Sequence, residues 1–502
     1  MSDPIVVIGG GPAGMAAAIA AAASGAKVIL LERKSRVGTK LLSTGNGRCN
    51  LGNPLVKPEA YHCAQDEKAG ESFTASVTSD FGYRDLTAWM ESLGIAVTLK
   101  NGFAYPRSLQ ASTVRNALEE KCLALGVKIV TDCLVTSIEK KGENFLLTCE
   151  EQIPAVRPDK NKKTGKSAGK ASGKSILFGK AKDTAAAAEA TGLPFQKTYH
   201  ASAVILAGGS KAAPKTGSDG SSYLLAASFG HTIIEPLPAL VPLHSSSDLC
   251  RKLSGVRVDA ACTLYYDGEA QETITGELQC TDYGISGFPI FQLSGRALRR
   301  PPAMIKIDFL PDLSASEAMD ALLYYRKLNP DKKCRDWLGA FLPDKICEAF
   351  CEIQHIPAHQ TAKDATKEQV SGLVFSLKNS RFPVIGSEGF DRAQTCSGGV
   401  SIREVSQTTM ESLLCPGLYL AGECLDIDGL CGGFNLHFAF ATGITAGRSC
   451  AVSLGRKEAG ESTVLPATAL TYSKAPADQE GQKEPARFSF TDSSRSILPE
   501  KC

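Results

Sequence analysis

The chain has 502 residues, of which 43% are hydrophobic, and its formal net charge is +2. This length exceeds what one ordinary hydrophobic core needs, so two or three domains are expected. A nearly neutral charge balance gives no broad positive field that would attract nucleic acid or an anionic membrane. We therefore expect a small-molecule substrate and neither of those partners.

The 17 cysteines indicate reduced thiols rather than a disulfide scaffold, because their number is odd and no signal-peptide pattern precedes them. We expect a cytoplasmic protein. No C-x-x-C motif occurs, which argues against a zinc ribbon and a redox-active dithiol. His355 and His359 have helical spacing, but Pro357 between them would disrupt the helix. No metal site is expected.

The N-terminal stretch has the pattern of a βαβ unit. Residues 4–8 predict a buried strand, a G-x-G-x-x-G motif occupies 9–14, and a second strand over 28–31 ends at Glu32. The motif lets the backbone approach a pyrophosphate at a helix N-terminus, and Glu32 would accept hydrogen bonds from ribose hydroxyls. The pattern predicts dinucleotide binding; the alternative is a glycine-rich turn in an ordinary βαβ unit.

The following segments mix a long loop with regular elements. Residues 38–53 are too rich in Gly and Asn for regular structure and predict an ordered, functional loop. Residues 83–98 and 111–126 predict helices, and residues 128–136 and 144–149 predict strands.

A lysine-rich stretch over 157–182 changes the composition of the chain. It predicts a flexible, solvated insertion, which we take to extend over 157–196; the alternative is a basic segment that docks nucleic acid.

Strand patterns resume at 202–220 and dominate the middle of the chain. Beyond Pro242 they predict a β-rich domain, interrupted by a helical stretch over 314–353. The last fifty residues are polar and predict a disordered tail. The domain boundaries that we predict are 1–242 with 393–452 for dinucleotide binding, 243–313 with 371–392 for a β-barrel-like domain, 314–370 for a helical insertion and 453–502 for the tail.

The far end of the chain favours FAD as the dinucleotide. A strand ends at Gly422-Glu423, and a helix over 434–447 follows the double glycine Gly432-Gly433. An acid at the end of a strand can reach the ribityl hydroxyls, and a helix N-terminus can stabilise negative charge on a reduced flavin. The alternative is a capped connection between a strand and a helix.

Seven motifs in this order resemble the BaiN/YhiN-like family of FAD-dependent oxidoreductases, also labelled the aminoacetone oxidase family. They are GTKLLSTGNGRCNLGN, VILAGGSKAAPKTGSDG, GHTIIEPLPALVPL, YGISGFPIFQLS, SGGVSIREV, TMES and GLYLAGECLDIDGLCGGFNLHFAFATG. The resemblance covers most of residues 4–450 and implies an α/β fold. It implies a Rossmann-like FAD domain built from both chain ends, with an inserted β-barrel-like domain and a helical subdomain.

The same resemblance and the glycine motifs indicate which residues bind FAD. The predicted set is Gly9, Gly11, Pro12, Ala13, Gly14, Glu32, Arg33, Lys40, Gly47, Arg48, Cys49, Asn50, Val135, Ala207, Gly208, Gly209, Gly422, Glu423, Gly432, Gly433, Phe434 and Asn435.

The resemblance also implies a reaction, because the family includes a reductase that uses reduced nicotinamide to saturate conjugated C=C bonds. Hydride would pass from NAD(P)H through the flavin to the β-carbon of an enone, and an acid would protonate the α-carbon. No second G-x-G-x-x-G follows a strand, so the donor would bind transiently. The candidate acids and orienting groups are Tyr105, Arg107, Tyr283 and His437. The alternative for the first three is a position in a surface turn, and the alternative for His437 is a packed position in a helix.

Two rival functions remain open from the sequence. One is a flavin amine oxidase, as the family label suggests, which would consume oxygen. The other is an RNA-associated flavoprotein that docks nucleic acid through the lysine-rich insertion.

Overall fold

The computed structural model describes residues 3–151 and 195–459. Its strands are β1 Ile5–Ile8, β2 Val28–Leu31, β3 Tyr61–His62, β4 Val97–Lys100, β5 Phe103–Pro106, β6 Lys128–Val130, β7 Cys133–Lys141, β8 Asn144–Glu151, β9 Phe195–Ala201, β10 Ala203–Leu206, β11 Ile233–Ala239, β12 Leu243–Ser245, β13 Arg257–Tyr266, β14 Glu269–Cys280, β15 Gly284–Gly287, β16 Ala303–Asp308, β17 Ser380–Ser387, β18 Thr395–Val400, β19 Leu418–Leu420 and β20 Asp428–Gly429. Its α-helices are α1 Pro12–Ala23, α2 Glu67–Asp80, α3 Tyr83–Ser92, α4 Ala111–Ala124, α5 Ser221–Ala227, α6 Leu249–Lys252, α7 Phe288–Arg299, α8 Ala315–Leu328, α9 Cys334–Leu338, α10 Asp344–Ile353, α11 Lys367–Lys378, α12 Gly389–Arg392 and α13 Phe434–Ala459.

A five-stranded parallel sheet forms the centre of the nucleotide-binding region. Its strand order is β19-β10-β1-β2-β6, so strands from the two chain ends lie side by side. The four residues of β1 and of β10 are all buried, as expected for strands that are covered on both faces. The sheet is therefore of the Rossmann type, and its carboxyl edge collects loops from distant parts of the sequence.

Helices α1 and α13 cover this sheet and approach each other very closely. A Cβ atom added at Gly443 would lie 2.3 Å from the carbonyl oxygen of Ala13, and one at Gly447 would lie 2.1 Å from that of Ala17. Only glycine permits this backbone separation, and the alanine-rich face of α1 offers a matching smooth surface. The C-terminal helix thus fixes the position of the N-terminal glycine motif.

A closed barrel of six strands follows along the chain, in the order β12-β15-β14-β13-β16-β17. Its strands lie between residues 243 and 387, and helices α8 to α11 are inserted between β16 and β17. Alternate residues of β16 are buried, which is the period expected for a strand with one face toward a core. Barrel and inserted helices share one hydrophobic core, which includes Leu264, Ile305, Phe350 and Leu373.

This architecture confirms the predicted fold class: an α/β Rossmann-like core built from both chain ends, with a β-barrel and a helical part. Several element boundaries differ from the prediction. The helix predicted over 83–98 ends at Ser92, because Gly94 adopts a φ of +78° and the chain continues as strand β4. The strand predicted over 128–136 is two strands, β6 and β7, which join different sheets.

Two predicted irregular segments also start or end elsewhere. Helix α13 continues to Ala459, past the predicted tail boundary at 453, and strand β9 begins at Phe195, inside the predicted insertion over 157–196. The remainder of that insertion and of the tail lies outside the described residues.

Candidate functional site

A cavity of about 850 Å³ opens at the carboxyl edge of the parallel sheet. The ends of four of its strands reach the cavity wall, through Gly9 after β1, Glu32 after β2, Ala207 after β10 and Glu423 after β19. Ligands of open α/β sheets bind at this edge, where the loops of the strands diverge. The position of the cavity follows from the topology.

The first glycine turn is shaped by very close backbone contacts. Gly9 has a φ of +101°, and a Cβ atom there would lie 2.5 Å from the carbonyl oxygen of Ala207. A Cβ at Gly14 would lie 1.8 Å from the carbonyl oxygen of Gly9. Both positions therefore require glycine for packing within the protein, which is what the motif predicts for its first and third glycines.

Gly11 differs, because a Cβ atom added there would meet no protein atom within 4 Å. The residue lines the cavity and precedes α1, whose N-terminus carries no side-chain cap. A helix N-terminus of this kind presents backbone N–H groups to an anion. The open space at Gly11 fits a pyrophosphate, so the residues present fit FAD.

Glu32 holds the glycine turn as well as lining the cavity. Its Oε2 atom accepts a hydrogen bond from the Gly10 N–H at 2.7 Å, and its Oε1 atom accepts one from the Lys34 N–H at 2.7 Å. Burial raises the pKa of Glu32, and the two backbone donors oppose that rise. Each carboxylate oxygen can accept a further bond, so a ribose hydroxyl remains a feasible partner.

An ion pair spans the cavity wall between the two halves of the chain. Lys40 Nζ lies 2.5 Å from Glu423 Oε2, and Ser210 Oγ donates to the same oxygen at 3.3 Å. Both charged side chains are only 19% exposed. Glu423 is thus already oriented by two donors, which leaves its other oxygen to accept from a ligand hydroxyl.

The double glycine before α13 forms a second tight approach of backbone to the cavity. Gly432 and Gly433 have φ values of +128° and +96°. A Cβ at Gly433 would lie 2.7 Å from the carbonyl oxygen of Gly52. The side chain of Asn435 forms two hydrogen bonds with Gly429. Its Oδ1 atom accepts from the Gly429 N–H at 2.8 Å, and its Nδ2 atom donates to the Gly429 carbonyl oxygen at 2.7 Å. These two hydrogen bonds fix the loop that precedes helix α13.

The predicted FAD residues separate into two groups in space. Those that line the cavity are Gly9, Gly11, Pro12, Ala13, Glu32, Arg33, Lys40, Asn50, Val135, Ala207, Gly208, Gly209, Glu423, Gly432, Gly433 and Asn435. The others are not part of the lining: Gly14, Cys49, Gly422 and Phe434 are buried behind it, and Gly47 and Arg48 are exposed to solvent. Cys49 is fully buried, and burial raises the pKa of its thiol to about 12, so it is a neutral packing residue.

The four predicted catalytic residues do not come together. Tyr105 lines the cavity and has its pKa raised by burial. Arg107 is exposed outside the cavity, and Tyr283 is 37% exposed on the barrel, where its ring packs on His244. His437 is fully buried and donates from Nε2 to the carbonyl oxygen of Phe81 at 2.8 Å. Only Tyr105 is placed to touch a ligand; the catalytic roles of the others stay predictions.

Sequence reasoning missed several parts of the wall, such as the segment over 391–394, and two of the missed parts are instructive. One is the segment after β10, whose cavity residues are Lys215, Thr216, Gly217, Ser218, Ser221 and Ser222. The motif over 202–220 contained this signal, since a Gly- and Ser-rich turn after a strand is a typical ligand loop. The other is the apolar end of the cavity, formed by Phe103, Phe288, Phe291 and Leu430. No local pattern marks these residues, because they converge only in the fold.

Within residues 3–151 and 195–459, no group of three or more His, Cys, Asp or Glu side chains is arranged to hold a metal ion. The cysteines of these ranges, sixteen in number, are all free thiols. In the same part of the chain, no helix combines the length and the apolar character that crossing a bilayer would need.

Comparison with known proteins finds relatives that span most of this chain. The model of the HI0933-like protein Rossmann domain matches residues 3–160 and 177–449. A 3-dehydro-bile acid delta(4,6)-reductase of Clostridium scindens is 35% identical and aligns over 89% of this chain and 98% of its own length. A ribosomal RNA dihydrouridine synthase of Escherichia coli is 26% identical over 87% of this chain and 95% of its own.

Among solved structures, a flavocytochrome c3 fumarate reductase has a TM-score of 0.43 at 14% identity and covers 90% of this chain and 78% of its own.

The parallel sheet, the glycine turn and the cavity at its edge define a flavoprotein oxidoreductase with an FAD-binding Rossmann fold. The chain belongs to the HI0933-like family, whose model covers both of its ends. The predicted resemblance is thereby confirmed, and so is the assignment to FAD-binding oxidoreductases.

Proposed function

We propose that this protein reduces a C=C bond conjugated to a carbonyl group in a small, steroid-like molecule, with NAD(P)H as the electron donor. The observation that carries this proposal is the 35% identity to the bile acid reductase, which extends over nearly the whole of that relative. When bound, FAD supplies hydride transfer between a nicotinamide and a carbon acceptor.

The cavity supports a reaction that needs a nucleotide-binding end and an apolar end from which water is excluded. Its nucleotide end has the glycine turn and Glu32, and its opposite end has the aromatic side chains of Phe103, Phe288 and Phe291. Apolar walls exclude water and strengthen any hydrogen bond made to the substrate. Tyr105 lies in this wall and, since burial raises its pKa, keeps its hydroxyl proton at neutral pH.

The free thiols of the described residues support a reducing, cytoplasmic setting for this reaction.

The first test is an anaerobic absorbance titration of the purified holoenzyme with NADH and with NADPH, followed by a 3-oxo-Δ4 steroid. We expect one nicotinamide to bleach the flavin bands and the enone to restore them. A saturated 3-oxo steroid is the matched control, because it has the ketone without the conjugated bond and should restore nothing.

If neither nicotinamide bleaches the flavin, the proposed donor is wrong. If bleaching occurs but only an amine under air gives turnover with peroxide, the protein is a flavin amine oxidase instead.

A second candidate function is reduction of uridine in RNA. It is favoured by the match to a ribosomal RNA dihydrouridine synthase over 87% of this chain. The uracil C5=C6 bond is conjugated to a carbonyl group, so it needs the same kind of chemistry as an enone. Incubating the holoenzyme and NADPH with unmodified ribosomal RNA tests this candidate: mass spectrometry would find uridines that have gained two hydrogens.

Deleting residues 157–182, which lie outside the described ranges, separates docking from chemistry. Loss of RNA reduction with steroid reduction intact would assign the lysine-rich stretch to RNA docking. Unchanged RNA reduction would exclude that role.

A further inference from the structure

A second cavity of about 300 Å³ adjoins the first one at its apolar end. Leu240, Phe291 and Leu430 line both cavities, so these three side chains form a common wall. The second cavity lies between helix α7 and the short strand pair β3–β20, in which His62 faces Asp428. A molecule bound at the apolar end of the first cavity would have this space next to it.

Asp428 is the unusual residue of the second cavity. Its side chain is buried, and its Oδ1 atom has no hydrogen-bond partner within the described part of the chain. The hydroxyl of Ser397 forms a hydrogen bond with this carboxyl group. Buried polar atoms are nearly always paired in proteins, so an orphaned carboxyl oxygen at a cavity calls for a ligand that pairs with it.

The nearby cations do not form ion pairs with Asp428. Arg296 donates to Glu272 at 2.7 Å and to His62 at 2.9 Å. Arg299 donates to the carbonyl oxygens of Glu235, at 2.8 Å, and of Ser397, at 2.6 Å. Both guanidinium groups thus donate to other acceptors, while the buried Nε atom of Arg299 has no partner in the described part of the chain. The charge of Arg299 lowers the pKa of Asp428 and offsets only part of the effect of burial.

The other charged groups around Asp428 are the acids Asp426 and Glu67, each of which has its own partner. The carboxylate of Asp426 accepts from the Ala64 and Gln65 N–H groups, and Glu67 lies 3.7 Å from His62. Burial first, and the Asp426 charge second, raise the pKa of Asp428 to about 7, against the influence of His62, Ser397 and Arg299. Near neutral pH, Asp428 is therefore protonated in a large fraction of the molecules, and a protonated carboxyl group is a hydrogen-bond donor.

We propose that the second cavity is the carbonyl subsite of the substrate, in which the protonated carboxyl of Asp428 donates a hydrogen bond to the ketone oxygen. This inference rests on the proposed reduction of a conjugated ketone. A neutral oxygen acceptor fits best: the carboxylate of Asp426 would repel an anion, whereas Arg296 and Arg299 would repel a cation. The walls contributed by Leu240, Phe291 and Leu430 suit the carbon skeleton that carries the ketone.

The test is equilibrium binding of a 3-oxo-Δ4 steroid to the oxidised holoenzyme, followed by the change in flavin absorbance. For the unmodified protein we expect the affinity to fall about tenfold per pH unit above pH ~7, as the donor ionises. Asp428→Asn keeps a neutral donor and should bind the steroid with little dependence on pH. Asp428→Leu has no donor and should bind about ten- to a hundredfold more weakly at pH ~6.

Two controls isolate the hydrogen bond. The corresponding 3-deoxy steroid, which lacks the ketone, should bind all three proteins equally and without a pH dependence. Asp282→Asn, at an exposed acid, should behave as the unmodified protein. Thermal denaturation checks that each variant is folded. If Asp428→Leu does not fold, the pH profile of the unmodified protein still tests the proposed hydrogen bond.

Several results would overturn the proposal. One is a pH dependence that persists in Asp428→Asn, because it would then come from another group. Others are no steroid binding at all, or equal binding by Asp428→Leu. Failure of the reaction is a separate result. If the enone does not reoxidise the reduced flavin, the proposed function is refuted. If reoxidation is normal but the Asp428 variants bind the steroid as the unmodified protein does, only the subsite is refuted.

Discussion

Lys40 and Glu423 lie 383 positions apart in the sequence and form an ion pair at the wall of the main cavity. One residue follows strand β2, and the other follows β19, which is an edge strand of the sheet. The pair therefore ties the N-terminal half of the site to the C-terminal half.

Because both side chains are only 19% exposed, this pair should be more strongly coupled than a surface pair. We expect a double-mutant cycle of Lys40→Met and Glu423→Gln to give a coupling free energy of about 1–2 kcal/mol in the unfolding of the cofactor-free protein. Each single variant leaves a partly buried group unpaired, so the double variant loses less than the sum. The exposed pair Lys363–Asp331 is the control and should give a much smaller coupling. Additive single effects would contradict the prediction.

Gly11 provides a direct test of the FAD site. Its extended backbone, with a φ of −77°, and the empty space around its Cβ position allow valine in the folded protein. Gly11→Val should therefore fold normally but lose FAD, because the side chain would occupy the space of the pyrophosphate. The flavin-to-protein absorbance ratio after purification measures this loss.

Gly455→Val is the matched control, since a Cβ there also meets no protein atom within 4 Å and the residue lies far along helix α13. It should keep its full flavin content. Full flavin occupancy in Gly11→Val would refute the assignment of this cavity to FAD.

The close approach of α13 to α1 predicts opposite effects for the same substitution on one helix. Gly447→Ala should lower the free energy of unfolding by about 1–3 kcal/mol, because its Cβ would lie 2.1 Å from the carbonyl oxygen of Ala17. Gly455→Ala, which meets nothing, should raise it by about 0.5–1 kcal/mol through helix propensity. Urea denaturation measures both values, and equal effects at the two positions would show that the helices are not in this contact.

Asp428 should make the stability of the protein depend on pH. Its folded-state pKa of about 7 lies above the unfolded value, so its contribution to stability is complete below pH ~4 and is lost as the pH rises through about 7. Asp428→Asn cannot ionise and escapes this loss. Relative to the unmodified protein, the variant should gain about 2 kcal/mol in the free energy of unfolding between pH ~5 and pH ~8.

Urea denaturation at the two pH values measures this difference. Asp282→Asn, at an exposed position, should show no such gain. If the difference between Asp428→Asn and the unmodified protein is the same at both pH values, Asp428 does not titrate in this range.

The sequence by itself determined the nucleotide end of the site. Gly9 has a positive φ, Gly14 tolerates no Cβ beside the carbonyl oxygen of Gly9, and Glu32 follows the second strand, so these requirements arise within one βαβ unit. Gly432 and Gly433 are similar, because a positive φ at both positions favours glycine. Local requirements of this kind leave residue types at fixed spacings, and a spacing can be read without a fold.

Only the tertiary structure decided the substrate end. Strands β3 and β20 have two residues each, too few for any hydrophobic period, and their pairing places His62 opposite Asp428. Burial likewise removed His437 from the cavity, although its helix begins beside it. Pairing partners hundreds of residues apart and the burial of a single side chain depend on how whole elements pack, and no local pattern encodes that.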